Sequence, residues 1–129
     1  MIAPNFGVSS MITEGDMPAL VEHGVKSIIN NRPDGEGFGL PDSGELGEAA
    51  GRHGLDYRYI PIIHGGMTRD NLLDFESALE DLEGPVIAFC NSGARSAAIY
   101  NIVKEDEVGD KPVQPQPQAE PFRPFMWNS

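Results

Sequence analysis

Residues 1–104 predict an α/β domain with a central, mainly parallel sheet flanked by helices. Apolar runs with strand character recur at residues 25–30, 57–62 and 85–89, and a segment with helical periodicity separates each from the next. Strands joined through helices pair in parallel by right-handed crossovers, which place helices over both faces of the sheet. The run Pro85-Val86-Ile87-Ala88-Phe89 is apolar at every position, the pattern of a strand buried on both sides.

Taken in order, Phe6 to Met11 reads as a short first strand. Thr13-Glu14-Gly15-Asp16 has the spacing of a helix start, for a helix that carries Met17, Leu20 and Val21 and stops at Gly24. Val25 to Asn30 is the second strand. Asn31 to Pro41 is a loop, since Gly, Pro and Asp dominate it. Asp42 or Ser43 caps a helix containing Leu46, Ala49 and Ala50, which ends at Gly54. Tyr57 to Ile62 is the third strand, with Pro61 near its end. Thr68 caps a longer helix whose apolar stripe is Leu72, Leu73, Phe75, Ala78, Leu79 and Leu82. Gly84-Pro85 breaks it, the fourth strand follows, and a last, short helix runs from about Ser96 to Lys104.

The remainder, residues 105–129, differs in kind. Glu105-Asp106-Glu107 is acidic and Gln114 to Gln118 alternates Gln with Pro, so the expectation is a disordered tail. Its end, Pro121 to Trp127, is aromatic enough to fold back over the domain or to bind a protein partner. There is no internal repeat. The first residues, Met1 to Asn5, lack a basic leader and an apolar block, and no run is long enough to span a bilayer, so a cytoplasmic protein is expected. The net charge of −11 argues against nucleic acid or an anionic membrane as partner. An anionic substrate must then be drawn in by a local positive field.

That field has one obvious source. The chain holds a single cysteine, so no internal disulfide can form, and Cys90 is either a small buried hydrophobe or a nucleophile. It ends the fourth strand and is followed by Asn91-Ser92-Gly93-Ala94 and then Arg95-Ser96. A strand that turns into a helix within a few residues points its amides inward and makes an anion-binding nest, to which the helix N-terminus adds positive potential. Gly93 permits the turn. Arg95 can fork onto two oxygens of a bound oxyanion. Amides, helix end and guanidinium all favour the thiolate at Cys90. Ser96 is placed to hydrogen-bond the sulfur.

Two motifs in order, Asn30-Asn31-Arg32-Pro33-Asp34-Gly35-Glu36 after a strand and Cys-x-x-Gly-x-Arg-Ser from Cys90 to Ser96, resemble the phosphatase-like domain of beta-lactamase hydrolase-like proteins. That family, formerly a domain of unknown function, is similar in fold to dual-specificity protein tyrosine phosphatases, and some members have been named sulfurtransferases. The resemblance covers about residues 5–104. It implies a cysteine-based phosphatase fold with Cys90 as nucleophile and Arg95 as phosphate clamp. The sequence departs from the phosphatase pattern twice. Four residues separate Cys90 from Arg95 where cysteine phosphatases usually place five, and four is the rhodanese-type length, at which the cysteine carries a persulfide. Phe89 stands where phosphatases usually have His.

A phosphatase also needs an acid for the leaving oxygen. The loop after the third strand offers His64, titratable near neutrality, and Asp70, if the Gly65-Gly66 hinge folds inward. Asp70 equally suits the first turn of its own helix. Arg32 is placed to add positive field, and Asp34 to act as acid or to orient Arg95; both also fit plain turn chemistry. His23 and His53 read as helix-end residues. No metal spacing and no cofactor motif is present. Three functions follow: phosphoester hydrolysis, sulfur transfer, and anion or partner binding without catalysis, with a small anionic or phosphorylated substrate in the first two.

Overall fold

The computed structural model describes residues 5–37 and 39–108. The Pro/Gln segment and the aromatic segment Pro121 to Trp127 lie outside the described residues.

Four strands, β1 (Phe6–Ser9), β2 (Ser27–Asn30), β3 (Asp56–Tyr59) and β4 (Val86–Phe89), form one sheet in the order β1-β4-β2-β3. All three pairings are parallel. The helices are α1 (Met17–Glu22), entered through a 3-10 turn at Glu14–Asp16, α2 (Ser43–Arg52), α3 (Arg69–Asp81) and α4 (Ala94–Val108). β4 is the last strand among the described residues but sits between β1 and β2, so the turn that follows it emerges in the middle of the sheet edge where ligands bind in open parallel sheets.

The alternation of β4 builds both cores. Val86 and Ala88 join Phe6, Val8, Ile29, Phe75, Ile99 and Val103 beneath α3 and α4. Ile87 and Phe89 join Met17, Leu20, Ile28, Leu46 and Leu55 beneath α1 and α2. A strand that serves two apolar faces has no polar position to spare, which is why this run contains none. β3 is the opposite case. It lies at the edge, its residues are polar and mostly exposed, and it ends at Tyr59, three residues short of the run read from sequence. The ladder nevertheless continues loosely past it, through Ile60 N–H on the Asn30 carbonyl and Ile62 N–H on the Asn31 carbonyl.

The expected caps are in place. Asp42 accepts from Glu45 N–H and closes a capping box on α2, and Thr68 does the same with Asn71 on α3. Two helical expectations change. In α3, Phe75 and Ala78 are buried whereas Leu73 is 49% exposed, so the stripe is narrower than its apolar residues suggest. α4 is long rather than short: it begins at Ala94 and continues to Val108, so residues 105–108 are helical, not tail.

Phe6 links the β1 edge to both covering helices. Its ring stacks on Tyr100 of α4 at 4.0 Å and meets Phe75 of α3 edge-on at 5.9 Å. Phe75→Ala would open a cavity at the centre of this trio. The expected cost is about 3–5 kcal/mol in urea unfolding; a loss under about 1 kcal/mol would contradict this packing.

Candidate active site

Cys90 follows the last residue of β4 and has no solvent exposure. Gly93, at φ +94°, turns the chain so that its N–H donates to Cys90 Sγ at 3.1 Å. A residue with a Cβ is strained at such a φ. The backbone N–H groups of Ser96, Arg95 and Ser92 also act on the sulfur and favour its thiolate. Those of Arg95 and Ser96 belong to the first turn of α4, where N–H groups have no partner within the helix. Burial pushes the Cys90 thiol up, the largest single influence, but the backbone donors and the neighbouring Arg95 guanidinium together hold it below its ordinary value. Cys90 is thus buried against N–H groups rather than hydrocarbon.

Arg95 points toward the cradle and not toward solvent. It is 7% exposed, its Nη1 donates to the Ile62 carbonyl at 2.6 Å, and its charge acts on Cys90. Its main partner is a residue the sequence reading did not single out. Glu36 accepts from Nη1 at 2.7 Å and from Nη2 at 2.8 Å, a two-point ion pair across the tip of the guanidinium. Glu36 also accepts from Asn91 Nδ2 at 3.2 Å. The Arg95 hydrogen bonds pull its carboxyl below the usual range; burial opposes this, and the charges of Arg95, His64 and Arg32 add to the lowering.

The other residues named from sequence divide clearly. Asn91, Ser92, Gly93 and Ala94 form the loop around the sulfur; Ser92 Oγ accepts from Ala94 N–H at 3.3 Å. Ser96 reaches Cys90 with its backbone, while its hydroxyl donates to Asn31 Oδ1 at 2.7 Å. Asn31 in turn donates to the Ile60 carbonyl, so this buried pair ties the start of α4 to the ends of β2 and β3. Arg32 is 1% exposed and lies at the root of the loop between β2 and α2. Asp34 is not on Arg95: its Oδ1 accepts from Ser43 N–H and its N–H donates to Tyr59 Oη, which fastens the loop to the start of α2. His64 is exposed, two residues beyond the carbonyl that holds Arg95, and within electrostatic reach of Glu36. Asp70 is exposed in the first turn of α3, where its charge suits the helix end. His23 Nδ1 lies 2.8 Å from the Ala19 carbonyl and His53 lies beside Glu14, as expected of helix ends. Among the described residues no three His, Cys, Asp or Glu side chains gather closely enough to hold a metal ion, and no helix is long and apolar enough to cross a membrane.

The model of the family "Beta-lactamase hydrolase-like protein, phosphatase-like domain" matches residues 1–106. The chain belongs to this family. It is a phosphatase-like domain, and Cys90, Arg95 and Glu36 all fall within the matched span. Beta-lactamase hydrolase-like proteins of Agrobacterium fabrum and Xylella fastidiosa are 41% and 37% identical to it over 85 and 92 residues, in each case 66% of this chain. The matched part is 20% and 21% of those relatives, so the phosphatase-like domain spans about a fifth of their length. Among solved structures, a candidate phosphatase from Neisseria meningitidis superposes with a TM-score of 0.77 at 23% identity, covering 87% of this chain and 78% of that one. The core catalytic domain of the PP-IP phosphatase SIW14 from S. cerevisiae superposes at 0.59 and 15% identity, covering 81% and 63%. At these identities the likeness is one of fold: the parallel sheet with helices is the architecture of the phosphatase-like domain and of the SIW14 core.

The backbone and side-chain contacts of Ser96 are separable. Ser96→Ala leaves the buried Asn31 amide oxygen without its donor, and the expected loss of stability is about 1–3 kcal/mol. The alkylation rate of Cys90 by iodoacetamide should keep its dependence on pH, because the Ser96 N–H remains. A thiol that titrates upward in Ser96→Ala would show that the hydroxyl, not the backbone, holds the sulfur.

Proposed function

We propose that this domain hydrolyses phosphoesters through a phosphocysteine at Cys90. The observation that carries the reading is the convergence of four backbone N–H groups on one buried sulfur with a fixed guanidinium beside it. Cys90 Sγ attacks phosphorus; the S–P bond forms as the P–O bond to the leaving group breaks, and the departing oxygen takes a proton. Water then cleaves the S–P bond, which releases phosphate and returns the thiolate. Loop amides and Arg95 are donors for the non-bridging oxygens as charge moves onto them. The loops after β2 and β3 both hold Arg95, through Glu36 and through the Ile62 carbonyl.

The family and the fold likeness to SIW14 support phosphate as the transferred group. We assign proton delivery to His64. Its loop is pinned to the site by the Arg95 hydrogen bond to Ile62, and its imidazole is exposed. Asp70 is then a helix-end residue, and Glu36, ion-paired and held ionised, has no proton to give.

Sulfur transfer is the second reading, favoured by the four-residue spacing from Cys90 to Arg95. Here the thiolate would take the outer sulfur of thiosulfate as a persulfide, release sulfite, and pass that sulfur to an acceptor such as cyanide. No proton donor to a leaving oxygen is needed.

The full chain given an aryl phosphate is expected to release phosphate, and Cys90→Ser to release none. Arg95→Lys should retain a charge but lose the planar fork, and fall by about 10²-fold or more. Thiocyanate from thiosulfate and cyanide, lost in Cys90→Ser, without phosphate release would replace the first reading by the second. Silence in both assays with retained phosphate binding would make the domain a binding module.

A further inference from the structure

The loop between β2 and α2 does more than connect them. Arg32, at its root, is buried and has no carboxylate partner among the described residues. Its Nη2 donates to the Pro41 carbonyl at 2.9 Å and its Nη1 lies 3.4 Å from the Pro33 carbonyl; its Nε is buried without a partner. Its backbone N–H is fixed by Asn30 Oδ1 at 2.8 Å. Burying a guanidinium on two carbonyls alone is costly. The two carbonyls it grips, however, are those of the residues where the loop leaves and re-enters the body of the fold. Arg32 therefore closes the loop at its base. Glu36 stands on this closed arm, between Gly35 at φ +86° and Gly39 at φ +77°.

What Glu36 does at the far end follows from how the N–H groups of Arg95 are shared. Nη1 spends its two hydrogens on Glu36 and the Ile62 carbonyl, and Nη2 spends one on Glu36. The tip of the guanidinium is thereby filled. The side edge, Nε–H and the remaining Nη2–H, is the part left for Cys90 and for an oxyanion above it. A planar fork held along one edge can rotate only out of its own plane, so the free edge stays aimed into the cradle. Glu36 also holds Asn91 at the other end of the same loop.

We propose that Glu36 is a positioning residue for the anion cradle, spanning Asn91 and Arg95, and that Arg32 is the clasp that holds its arm in register. This rests on the reading of the cradle as a phosphate site, but it predicts a state of Arg95 that exists without turnover. The test uses the full chain as wild type, Glu36→Ala, Glu36→Gln and Arg32→Met, with two readouts. The first is the Arg95 Nε–H signal in proton–nitrogen NMR. A held guanidinium gives a slowly exchanging, shifted signal in the wild type, and Glu36→Ala and Arg32→Met should lose it. The second is titration with inorganic phosphate. Glu36→Ala should weaken binding about 10- to 100-fold, the size typical when the outer partner of a ligating group is removed. Glu36→Gln, which keeps one acceptor oxygen, should fall between. Throughout, the far-ultraviolet circular dichroism should match wild type; a general collapse of the fold would change it. An unchanged Arg95 signal in Glu36→Ala overturns the proposal, as does tighter phosphate binding, which would make Glu36 a competitor for the cradle. A wild type that keeps the Arg95 signal yet hydrolyses no phosphoester would refute the phosphatase reading and leave this one standing.

Discussion

A sulfur atom inside a protein is ordinarily driven toward its neutral form, and everything proposed for this domain depends on reversing that drive at Cys90. Burial is the strongest influence on the thiol, and it acts the wrong way. Four backbone N–H groups, with the Arg95 guanidinium beside them, outweigh it. Two of them are supplied by the first turn of α4, where donors have no partner within the helix, and two by a turn that needs Gly93 at positive φ. The same donors can serve the oxygens of an incoming anion, so the loop ionises the nucleophile and binds the group it attacks with one set of atoms.

This arrangement also couples the site to folding. The folded thiol titrates below its unfolded value, so ionisation favours the folded chain above the unfolded pKa, and that contribution disappears as pH falls through the folded one. The sheet order makes the geometry available. With β4 between β1 and β2, the Cys90 loop is flanked on one side by the segment after β1, where Met11 N–H reaches the Asn91 carbonyl, and on the other by the arm after β2. The turn after β3 supplies the Ile62 carbonyl. All four strand ends thus contribute to one place, and Ser96, Asn31 and the Ile60 carbonyl tie the start of α4 to the ends of β2 and β3 from beneath.

How much of this was legible in the sequence depended on how local each signal was. The parallel α/β class, the caps at Asp42 and Thr68, and the double-sided burial of residues 86–89 are written in adjacent residues, and the structure bears them out. The tight turn after β4 is local too, since Cys90, Gly93 and the start of α4 lie within a few residues of one another. The order of strands is not local, and no pattern in the sequence placed β4 in the interior. Glu36 was missed for the same reason. It lies 59 residues from Arg95, in a Gly-rich turn without periodicity, where Asp34 looked equally suited to meet the arginine. The signal that could have found it is a single acid set among three glycines, Gly35-Glu36-Gly37 and Gly39, in a loop that follows a parallel strand. Ser96 was expected on the sulfur and is there by its N–H, while its hydroxyl went to Asn31. A side chain's partner across the sheet cannot be read from its own neighbourhood.

The claim beneath all of this is that the loop's N–H groups and the Arg95 guanidinium ionise the sulfur of Cys90 in spite of its burial. The most direct test is the ultraviolet absorbance of the thiolate, followed against pH in the full chain, with Cys90→Ser as the blank. The account predicts a single transition with its midpoint below that of an ordinary cysteine thiol, about 8.5, and Gly93→Ala, which strains the turn, should move it upward. A wild-type midpoint at or above that ordinary value would mean that burial has won, and would contradict the account.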